Sequence, residues 1–487
     1  MDHLHVAFFP YMAHGHIIPT MNMAKLFARH GVKSTIITTP FNASTISESI
    51  ETETNLGFNI GIQLMNFPSA EAELPEGCEI ASSINSQEMA IKFAKAMSLL
   101  QQPLARILNE IRPDCLVADM MFPWATEVAL EFGIPRLVFH GISTFALCVY
   151  NHLNRYEPHK TLDSDTEPFI IPGLPDQIKI TRSQVPNYIK EKNNNKQSET
   201  MDRILKSEAT SYGILINSFQ ELEPAYLEHY RKVMGRKAWS IGPLSLCNNH
   251  DESLIGEDEC LRWLDLKKPN SVLYICFGSM FKFSDSQLLE LAMAIEACGQ
   301  NFIWVVNKKE ENNEELVPAA AADSEIFNYN VSSWLPEGFE KRTKEKGLII
   351  RRWASQVTIL AHQAIGVFMT HCGWNSTLEG VCAGVPMVTW PLHAEQFFNE
   401  KLVTDVLRIG IGVGSQEWSR YEKKIIINKN DIEKAVCKLM IGEEGEEMRN
   451  RAKKLKEMAR NAVEEGGSSK NDLIGLLKEL KSIKKAN

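Results

Sequence analysis

The stretch WASQVTILAHQAIGVFMTHCGWNSTLEGVCAGVPMVTWPLHAEQ, from Trp353 to Gln396, decides the architecture of the C-terminal half of this chain. Residues 366–370 predict a buried strand that ends at His371, and Asn375 and Ser376 are expected to cap the helix that follows. A strand that turns through glycine into a helix provides backbone N–H groups, a positive helix end and room for oxygen atoms, which together bind a diphosphate. With the Trp353 ring as a flat face for a base, the stretch predicts a nucleotide-sugar site.

Length and composition limit the fold and the partners. A chain of 487 residues is too long for one ordinary core, so two large domains are expected. The hydrophobic fraction of 44% is that of a well-buried globular protein. A net charge of −9 argues against nucleic acid or an anionic membrane surface as the main partner, because both bind basic patches.

Cysteine usage and the N-terminal residues indicate the compartment. The 10 cysteines contain no CxxC pair, which favours reduced and mostly buried thiols. The first residues lead straight into a predicted strand, without a basic region or a long apolar run. We therefore expect a cytoplasmic protein with neither a signal peptide nor an integral membrane segment.

Apolar runs alternate with helical patterns in both halves of the chain, which is typical of parallel strands joined by crossover helices. The predicted strands are 5–9, 34–38, 115–118, 136–139 and 213–217 in the first half, and 271–277, 302–306, 348–350, 367–370 and 386–390 in the second. Residues 247–259 are polar and without a period, which predicts a linker between two doubly wound units. Residues 307–333 predict a surface loop, and Gly466-Gly467 separates two predicted amphipathic helices near the C-terminus.

Together with Phe277-Gly278-Ser279, the stretch closely resembles the signature box of the plant family 1 UDP-glycosyltransferases, which glycosylate secondary products. The N-terminal sequence His-Gly-His-Ile-Ile-Pro at 14–19 and the two-unit layout extend this resemblance over nearly the whole chain. The resemblance implies the α/β GT-B architecture, in which two Rossmann-like domains face a cleft. Residues 1–246 would bind the acceptor, 260–465 would bind the UDP-sugar, and 466–487 would form a helix that packs back on the N-terminal domain.

The same resemblance assigns the donor-binding residues. Trp353 would stack on uracil, and Glu379 would accept both ribose hydroxyls, since one carboxylate can bind two neighbouring O–H groups. Gln396 at the end of the box is similar to the UDP-glucose version. The expected donor-binding set is Gly15, Ser279, Trp353, Ala354, Gln356, His371, Gly373, Trp374, Asn375, Ser376, Glu379, Glu395 and Gln396, of which His371, Asn375, Ser376 and Ser279 would hold the diphosphate, and Trp374, Glu395 and Gln396 would meet the sugar hydroxyls.

His16 lies at the start of the predicted first helix, where the positive helix end disfavours the imidazolium, so we expect a neutral ring at pH 7. In the family that the chain resembles, the matching histidine is the general base. Asp119, which follows the predicted strand at 115–118, matches the aspartate that orients this base. The implied reaction is a direct displacement that inverts the anomeric centre from α to β and requires no metal or other cofactor.

Acceptor recognition is expected from apolar residues that flank His16 and Asp119. The candidates are Met120, Phe122, Phe145, Tyr150, Phe281 and Leu392. Met and Phe side chains with few fixed charges favour a small lipophilic acceptor with a hydroxyl, such as a triterpenoid, steroid, flavonoid or other phenolic compound. The resemblance extends to the subgroup that acts on flavonoids, coumarins and triterpenoids, and a monomer is the expected state.

Two other functions are compatible with parts of the sequence. His14-Gly15-His16 has the spacing of a bidentate metal pair, which would suit a metal-dependent hydrolase if further ligands joined it. A non-catalytic sugar-nucleotide sensor would keep the nucleotide site and lack a correctly placed His16 or Asp119. Release of UDP from UDP-glucose in the presence of EDTA would distinguish the transferase from both.

Overall fold

The computed structural model describes residues 3–191, 196–247, 257–278, 283–306, 334–351, 354–420 and 425–486. Within these residues the N-terminal part of the protein contains nine strands. The strands are β1 (His5–Phe9), β2 (Lys33–Thr38), β3 (Ile60–Leu64), β4 (Cys115–Asp119), β5 (Arg136–Phe139), β6 (Pro168–Ile170), β7 (Lys179–Thr181), β8 (Gly213–Ile216) and β9 (Ala238–Ser240). Seven of them form one parallel sheet in the order β3-β2-β1-β4-β5-β8-β9, while β6 and β7 form an antiparallel hairpin. The C-terminal part contains a second sheet.

The second sheet is also parallel, and its described strands are β10 (Val272–Cys276), β11 (Asn301–Val305), β12 (Gly347–Ile350), β13 (Ile365–Thr370), β14 (Met387–Thr389) and β15 (Gly410–Gly412). Their order in the sheet is β12-β11-β10-β13-β14-β15. The predicted α/β architecture with two Rossmann-like domains is therefore confirmed. Strands β1 and β5 have the predicted bounds, whereas the short strands β3, β6, β7, β9 and β15 escaped prediction.

Helices cover both sheets, as parallel strands require. In the N-terminal part they are α1 (His14–Arg29), α2 (Pro40–Ala43), α3 (Ser47–Asn55), α4 (Gln87–Leu99), α5 (Gln101–Ile111), α6 (Ala125–Glu131), α7 (Thr144–Tyr156), α8 (Asn187–Lys190), α9 (Lys196–Thr210) and α10 (Pro224–Glu228). In the C-terminal part they are α11 (Glu257–Asp265), α12 (Asp285–Cys298), α13 (Phe339–Thr343), α14 (Gln356–Ala361), α15 (Trp374–Ala383), α16 (Gln396–Lys401), α17 (Lys429–Ile441), α18 (Glu443–Val463) and α19 (Ser468–Ala486). Helix α11 begins inside the predicted linker, and the predicted loop 307–333 lies outside the described residues.

Each sheet has one point at which the strand order reverses, and such points form ligand-binding crevices at the carboxyl ends of the strands. In the N-terminal sheet this point lies between β1 and β4, where Phe9 pairs with Ala118. In the C-terminal sheet it lies between β10 and β13, where Cys276 pairs with Thr370. Both sequence motifs that carry chemistry follow these four strands.

Helix α19 returns to the N-terminal part of the protein. Leu473, Leu476, Leu477 and Leu480 are buried in one apolar cluster with residues of β1 and α1. Asp472 accepts hydrogen bonds from the Arg231 side chain and the Ser240 backbone. The last helix is thus docked through a leucine face and a charged end.

Candidate active site

His16 and Asp119 form a hydrogen-bonded pair at the reversal point of the N-terminal sheet. Strand β4 ends at Asp119, whose side chain is fully buried, and α1 presents His16 from its first turn. The Nδ1 atom of His16 lies 2.6 Å from Oδ2 of Asp119. Because a carboxylate only accepts, Nδ1 carries the proton and Nε2 is left as the acceptor nitrogen of the neutral ring.

Burial lowers the pKa of His16, but the charge and hydrogen bond of Asp119, together with the charge of Glu395, outweigh burial and raise this pKa above its usual value. The prediction that the helix end would keep the ring neutral is therefore wrong in direction. For the charge of the ring it weighed only the helix end, although Asp119 was already expected beside His16, and it missed Glu395. A raised pKa makes the imidazole a better proton acceptor, and only its neutral form can act as a base.

Two further hydrogen bonds hold Asp119 in place, one to its side chain and one to its backbone carbonyl. Its Oδ1 accepts a hydrogen bond from the Met121 N–H at 3.0 Å, and its carbonyl accepts one from Nη2 of Arg136 at 2.9 Å. The Arg136 side chain is buried, and burial lowers its pKa to about 10 against the opposing charges of Asp119 and Glu208. The carboxylate that orients His16 therefore has a fixed position.

The second histidine of interest, His371, lies at the reversal point of the C-terminal sheet, between two glycine turns. A β-carbon at Gly373 would come within 2.5 Å of Nε2 of His371, and one at Gly278 would come within 3.0 Å. Both positions are therefore glycine because the imidazole fills the space. Burial lowers the pKa of His371 to about 4, and its Nδ1 atom is buried without a hydrogen-bond partner.

Helix α15 begins immediately after this turn and points its N-terminus at the cleft. Gly373 is the N-cap residue, and Trp374, Asn375 and Ser376 occupy the first turn. The expectation that Asn375 and Ser376 cap the helix is therefore wrong, since no side chain caps it. The backbone N–H groups of the first turn form the positive end that an anion requires.

Gln356, Ser376 and Glu379 form a small polar cluster beside the N-terminus of α15. The Nε2 atom of Gln356 donates to Oγ of Ser376 at 3.0 Å and to Oε2 of Glu379 at 2.6 Å. Burial raises the pKa of Glu379 to about 7, although the bond from Gln356 opposes this shift. Glu379 is thus a half-buried carboxylate that accepts a hydrogen bond from a neutral amide, and its oxygens can accept further O–H donors.

Trp374 is placed differently from the prediction that it would meet sugar hydroxyls. Its side chain is 2% exposed, and the indole Nε1–H donates to the carbonyl of Asn217 at 2.7 Å. Because an indole has one donor and no acceptor, its side chain has no hydrogen bond left for a sugar. Through this bond Trp374 joins the two halves of the protein.

Glu395 and Gln396 lie at the start of α16, on the same side of the cleft. The Oε1 atom of Gln396 accepts from the backbone of Leu392 and His393 at 2.9 and 3.0 Å, which leaves its NH₂ group as the remaining donor. Burial raises the pKa of Glu395, opposed by the nearby His16 and by bonds from Asn399 and the Trp374 N–H. The electrostatic coupling between His16 and Glu395 shows that the two halves of the site approach each other.

A direct contact also joins the two halves beside His16. The Nδ2 atom of Asn375 donates to the carbonyl of Gly15 at 2.8 Å, while its Oδ1 atom is buried without a partner. Gly15 therefore contacts the donor-side helix through its backbone. The base candidate and the N-terminus of α15 lie next to each other across the cleft.

Three predicted site residues, Ser279, Phe281 and Trp353, lie outside the described residues. Ala354, which follows Trp353, is partly buried against the apolar cluster that spans both halves of the protein.

The predicted acceptor residues divide into two groups. Phe122, Phe145 and Leu392 have no solvent-accessible side-chain surface, and Phe122 stacks on Phe9 with ring centres 4.3 Å apart. They belong to the core in this conformation, so the prediction that they contact the acceptor is wrong here. Met120 and Tyr150 are half-buried and remain candidates.

Three aromatic residues near the cleft, Tyr11, Tyr188 and Trp418, were not predicted as site residues from the sequence. Tyr11 packs its ring edge against His16 with centres 5.3 Å apart, and burial raises its pKa to about 12. The ring centre of Tyr188 lies 6.1 Å from the ring centres of both Tyr150 and Trp418. Burial raises the pKa of Tyr188, and the charge of Glu395 adds to this rise. The position of Tyr11 in the loop between β1 and His16 was a usable signal, whereas nothing local marks the other two.

Within the described part of the chain, no group of three or more His, Cys, Asp or Glu side chains is arranged to hold a metal ion. Over the same ranges, no helix combines the length and apolar character that crossing a bilayer requires.

Comparison with known proteins identifies the family. The family model described as UDP-glucoronosyl and UDP-glucosyl transferase matches residues 13–417. The chain is 52% identical over 488 residues to scopoletin glucosyltransferase of Nicotiana tabacum, covering 99% of this chain and 98% of the relative. It is 51% identical over 494 residues to anthocyanin 3'-O-beta-glucosyltransferase of Gentiana triflora, covering 99% of each.

Among solved structures, the chain is similar to Glycyrrhiza uralensis UGT73P12 complexed with glycyrrhetinic acid 3-O-monoglucuronide. The TM-score is 0.89 at 40% identity, and the match covers 99% of this chain and 96% of the other. The predicted resemblance, the GT-B fold and the glycosyltransferase activity are therefore confirmed.

Proposed function

Because this chain belongs to the UDP-glucoronosyl and UDP-glucosyl transferase family, we propose that it is an inverting, UDP-glucose-dependent O-glucosyltransferase. The observation that carries this proposal is the hydrogen-bonded His16–Asp119 pair, which lies next to the N-terminus of α15 across the cleft. One half of the site holds a base, and the other half holds a site for an anionic leaving group.

The base step follows from the His16 geometry. With its Nδ1–H donated to Asp119, the neutral imidazole accepts the acceptor hydroxyl proton at Nε2. The hydroxyl oxygen then attacks the anomeric carbon as the bond from that carbon to the diphosphate oxygen breaks. The proton stays on His16, the charge of Asp119 stabilises the imidazolium, and UDP leaves from the opposite face, which inverts α to β.

The charge that develops on the diphosphate is stabilised by the donor side. The first-turn N–H groups of α15, with Asn375 and Ser376, provide donors and a positive helix end. His371 is neutral near pH 7, so it contributes a hydrogen bond and no charge. These groups support a metal-independent reaction, in which Ser279 would also contact the phosphates.

Donor recognition uses the remaining groups of the C-terminal half. Glu379 would accept the ribose hydroxyls, with Gln356 and Ala354 near the base and Trp353 stacked on uracil. Glu395 and the NH₂ of Gln396 would bind the glucose hydroxyls, and the backbone N–H of Trp374 would help to hold Glu395 in place. Sites for glucose are supported by the names of the two plant relatives, both of which are glucosyltransferases.

The acceptor is proposed to be a small lipophilic plant metabolite with a hydroxyl, of the phenolic, flavonoid, steroid or triterpenoid class. Aromatic side chains of Tyr11, Tyr150, Tyr188 and Trp418 lie near the cleft and favour a large apolar ligand. The named relatives concern a coumarin, an anthocyanin and a triterpenoid glucuronide. We propose a monomer in which residues 1–246 form the acceptor domain and 260–465 the donor domain.

The test is turnover of UDP-glucose with a panel of hydroxylated acceptors, read by UDP release and product mass, with and without EDTA. We expect His16→Ala to lower turnover by about 10²–10⁴-fold, with the Kd for UDP-glucose changed less than about threefold. His14→Ala, two residues earlier in the same helix turn, is the matched control and should keep its activity. Unchanged turnover in His16→Ala would overturn the base assignment, loss of activity in EDTA would favour a metal enzyme, and UDP-glucose binding without transfer to any acceptor would favour a sensor.

A further inference from the structure

Asn399 occupies the point at which three parts of the site meet. It lies in α16, three residues after Gln396, and its side chain is fully buried. Its Nδ2 atom donates to the carbonyl of Cys372 at 2.9 Å and to Oε1 of Glu395 at 3.2 Å. Its Oδ1 atom accepts from Oγ of Ser143, across the cleft, at 3.3 Å.

The orientation of this amide is determined by its partners. The Cys372 carbonyl and the Glu395 carboxylate only accept, so both require the NH₂ side of Asn399. The Ser143 hydroxyl accepts from the Ala146 N–H as the N-cap of α7, and its one hydrogen points to Oδ1. All the amide hydrogens are therefore used, and a flipped amide would face two acceptors with its oxygen.

Each of the three contacts reaches a functional element. Cys372 adopts a φ of 64°, which L-residues rarely adopt, in the turn between His371 and Gly373. Glu395 is the carboxylate assigned to the glucose hydroxyls, and it is close enough to His16 to influence its charge. Ser143 begins a helix of the N-terminal half, so its bond to Asn399 forms only when the two halves are together.

We propose that Asn399 is a positioning residue that aims the Glu395 carboxylate at the sugar and couples this aim to closure of the cleft. The inference rests on the proposed function, because it assumes that Glu395 binds the donor sugar. Asn399 itself is not proposed to contact the reacting atoms or the donor. It acts through Glu395, and Ser143 transmits the position of the acceptor side.

The experiment is a double-mutant cycle in the full-length enzyme. We expect Asn399→Ala to lower kcat/KM for UDP-glucose by about tenfold or more, because it removes the charge-assisted hydrogen bond to Glu395. In the Glu395→Gln background the same substitution should change kcat/KM less than about threefold. Ser143→Ala should give a smaller loss of kcat/KM than Asn399→Ala, and the two losses should not add in the double variant, whereas the lower stability caused by removing the α7 cap should appear in both backgrounds.

Asn42→Ala is the matched control, since Asn42 is also fully buried and hydrogen-bonded but lies far along the chain, beside Thr39 and Glu79. The Tm of each variant shows whether a loss of kcat/KM comes from a less stable fold or from a misplaced Glu395 carboxylate. Equal losses for Asn399→Ala in both backgrounds, or a loss no larger than that of Asn42→Ala, would overturn the proposal for Asn399 alone. Unchanged UDP-glucose turnover in Glu395→Gln would overturn the sugar contact itself and, with it, this inference.

Discussion

His16 and His371 both lie where the strand order of their sheet reverses, His16 in the helix that follows β1 and His371 directly after β13. Their neighbours differ. His16 is hydrogen-bonded to a buried carboxylate, which raises its pKa, whereas His371 is enclosed by glycine turns and burial lowers its pKa to about 4. The crevice at a reversal point therefore carries a titrating base in one half and, in the other half, a ring that is neutral near pH 7.

The carboxylates show the same contrast. Asp119 faces an imidazole, while Glu379 faces the neutral amide of Gln356, and burial raises its pKa to about 7. In the N-terminal half histidine and carboxylate are partners, and in the C-terminal half they are separate. Topology selects where a site forms, and the neighbouring charges select what it does.

The largest expected effect comes from making His16 resemble His371. Asp119→Asn removes the carboxylate charge, so burial dominates and the pKa of His16 should fall. We expect kcat/KM to drop by roughly 10³-fold. The enzyme needs neutral His16, so activity is lost as pH falls through the pKa of His16, and this loss should move to lower pH in the variant.

The measurement is the pH profile of kcat/KM at saturating acceptor. Asp114→Asn, a substitution of the same type just before β4, is the control and should leave the profile in place. A profile of Asp119→Asn that loses activity at the same pH as the unmodified enzyme would show that the carboxylate does not set the pKa of His16.

A smaller effect is expected on the donor side from Glu379→Gln. A carboxylate with a pKa of about 7 accepts hydroxyls best above that pH, so the affinity for UDP-glucose should weaken as pH falls through 7. The substitution should raise the Kd by about tenfold at pH 8, since hydrogen bonds to charged groups are among the stronger ones. Calorimetric titration from pH 5.5 to 8.5 should then show a Kd that no longer depends on this group, and a persistent pH dependence near 7 would contradict the assignment.

The smallest expected effect concerns the contact that joins the two halves. Trp374→Phe deletes the Nε1–H that Asn217 accepts and should lower the free energy of unfolding by about 1–3 kcal/mol, because it leaves a buried carbonyl unpaired. We expect kcat to change less than about threefold. Denaturant unfolding measures the first quantity, and Trp304→Phe, in the core of the C-terminal half, is the comparison. A large loss of sugar selectivity in Trp374→Phe alone would instead indicate that the indole contacts the sugar.

The sequence was sufficient for the elements with strong local patterns. Strands β1 and β5 were predicted to the residue, because each consists of one polar residue followed by a short apolar run. Strands β3 and β15 were missed, since Gly61, Gln63, Gly410 and Gly412 interrupt their patterns and only pairing with a neighbouring strand makes them extended. A strand of three residues, such as β9, carries too little pattern to be recognised.

The site divides in the same way. The pairing of His16 with Asp119 was predicted from family resemblance, although 103 positions separate them. The direction of the His16 pKa and the burial of the Trp374 indole were not predicted. The first depends on how closely Asp119, with a smaller contribution from Glu395, approaches the buried ring, and the second depends on Asn217; tertiary structure alone sets both.

The docking of α19 has a geometric consequence. The Nζ atom of Lys484 donates to the carbonyl of His3 at 2.9 Å and also contacts Asp114, so the two ends of the described chain are adjacent. A short peptide could join them without disturbing either sheet. Such a link would close the chain into a ring. New ends opened at a surface loop would then yield a circularly permuted enzyme with both halves of its cleft intact.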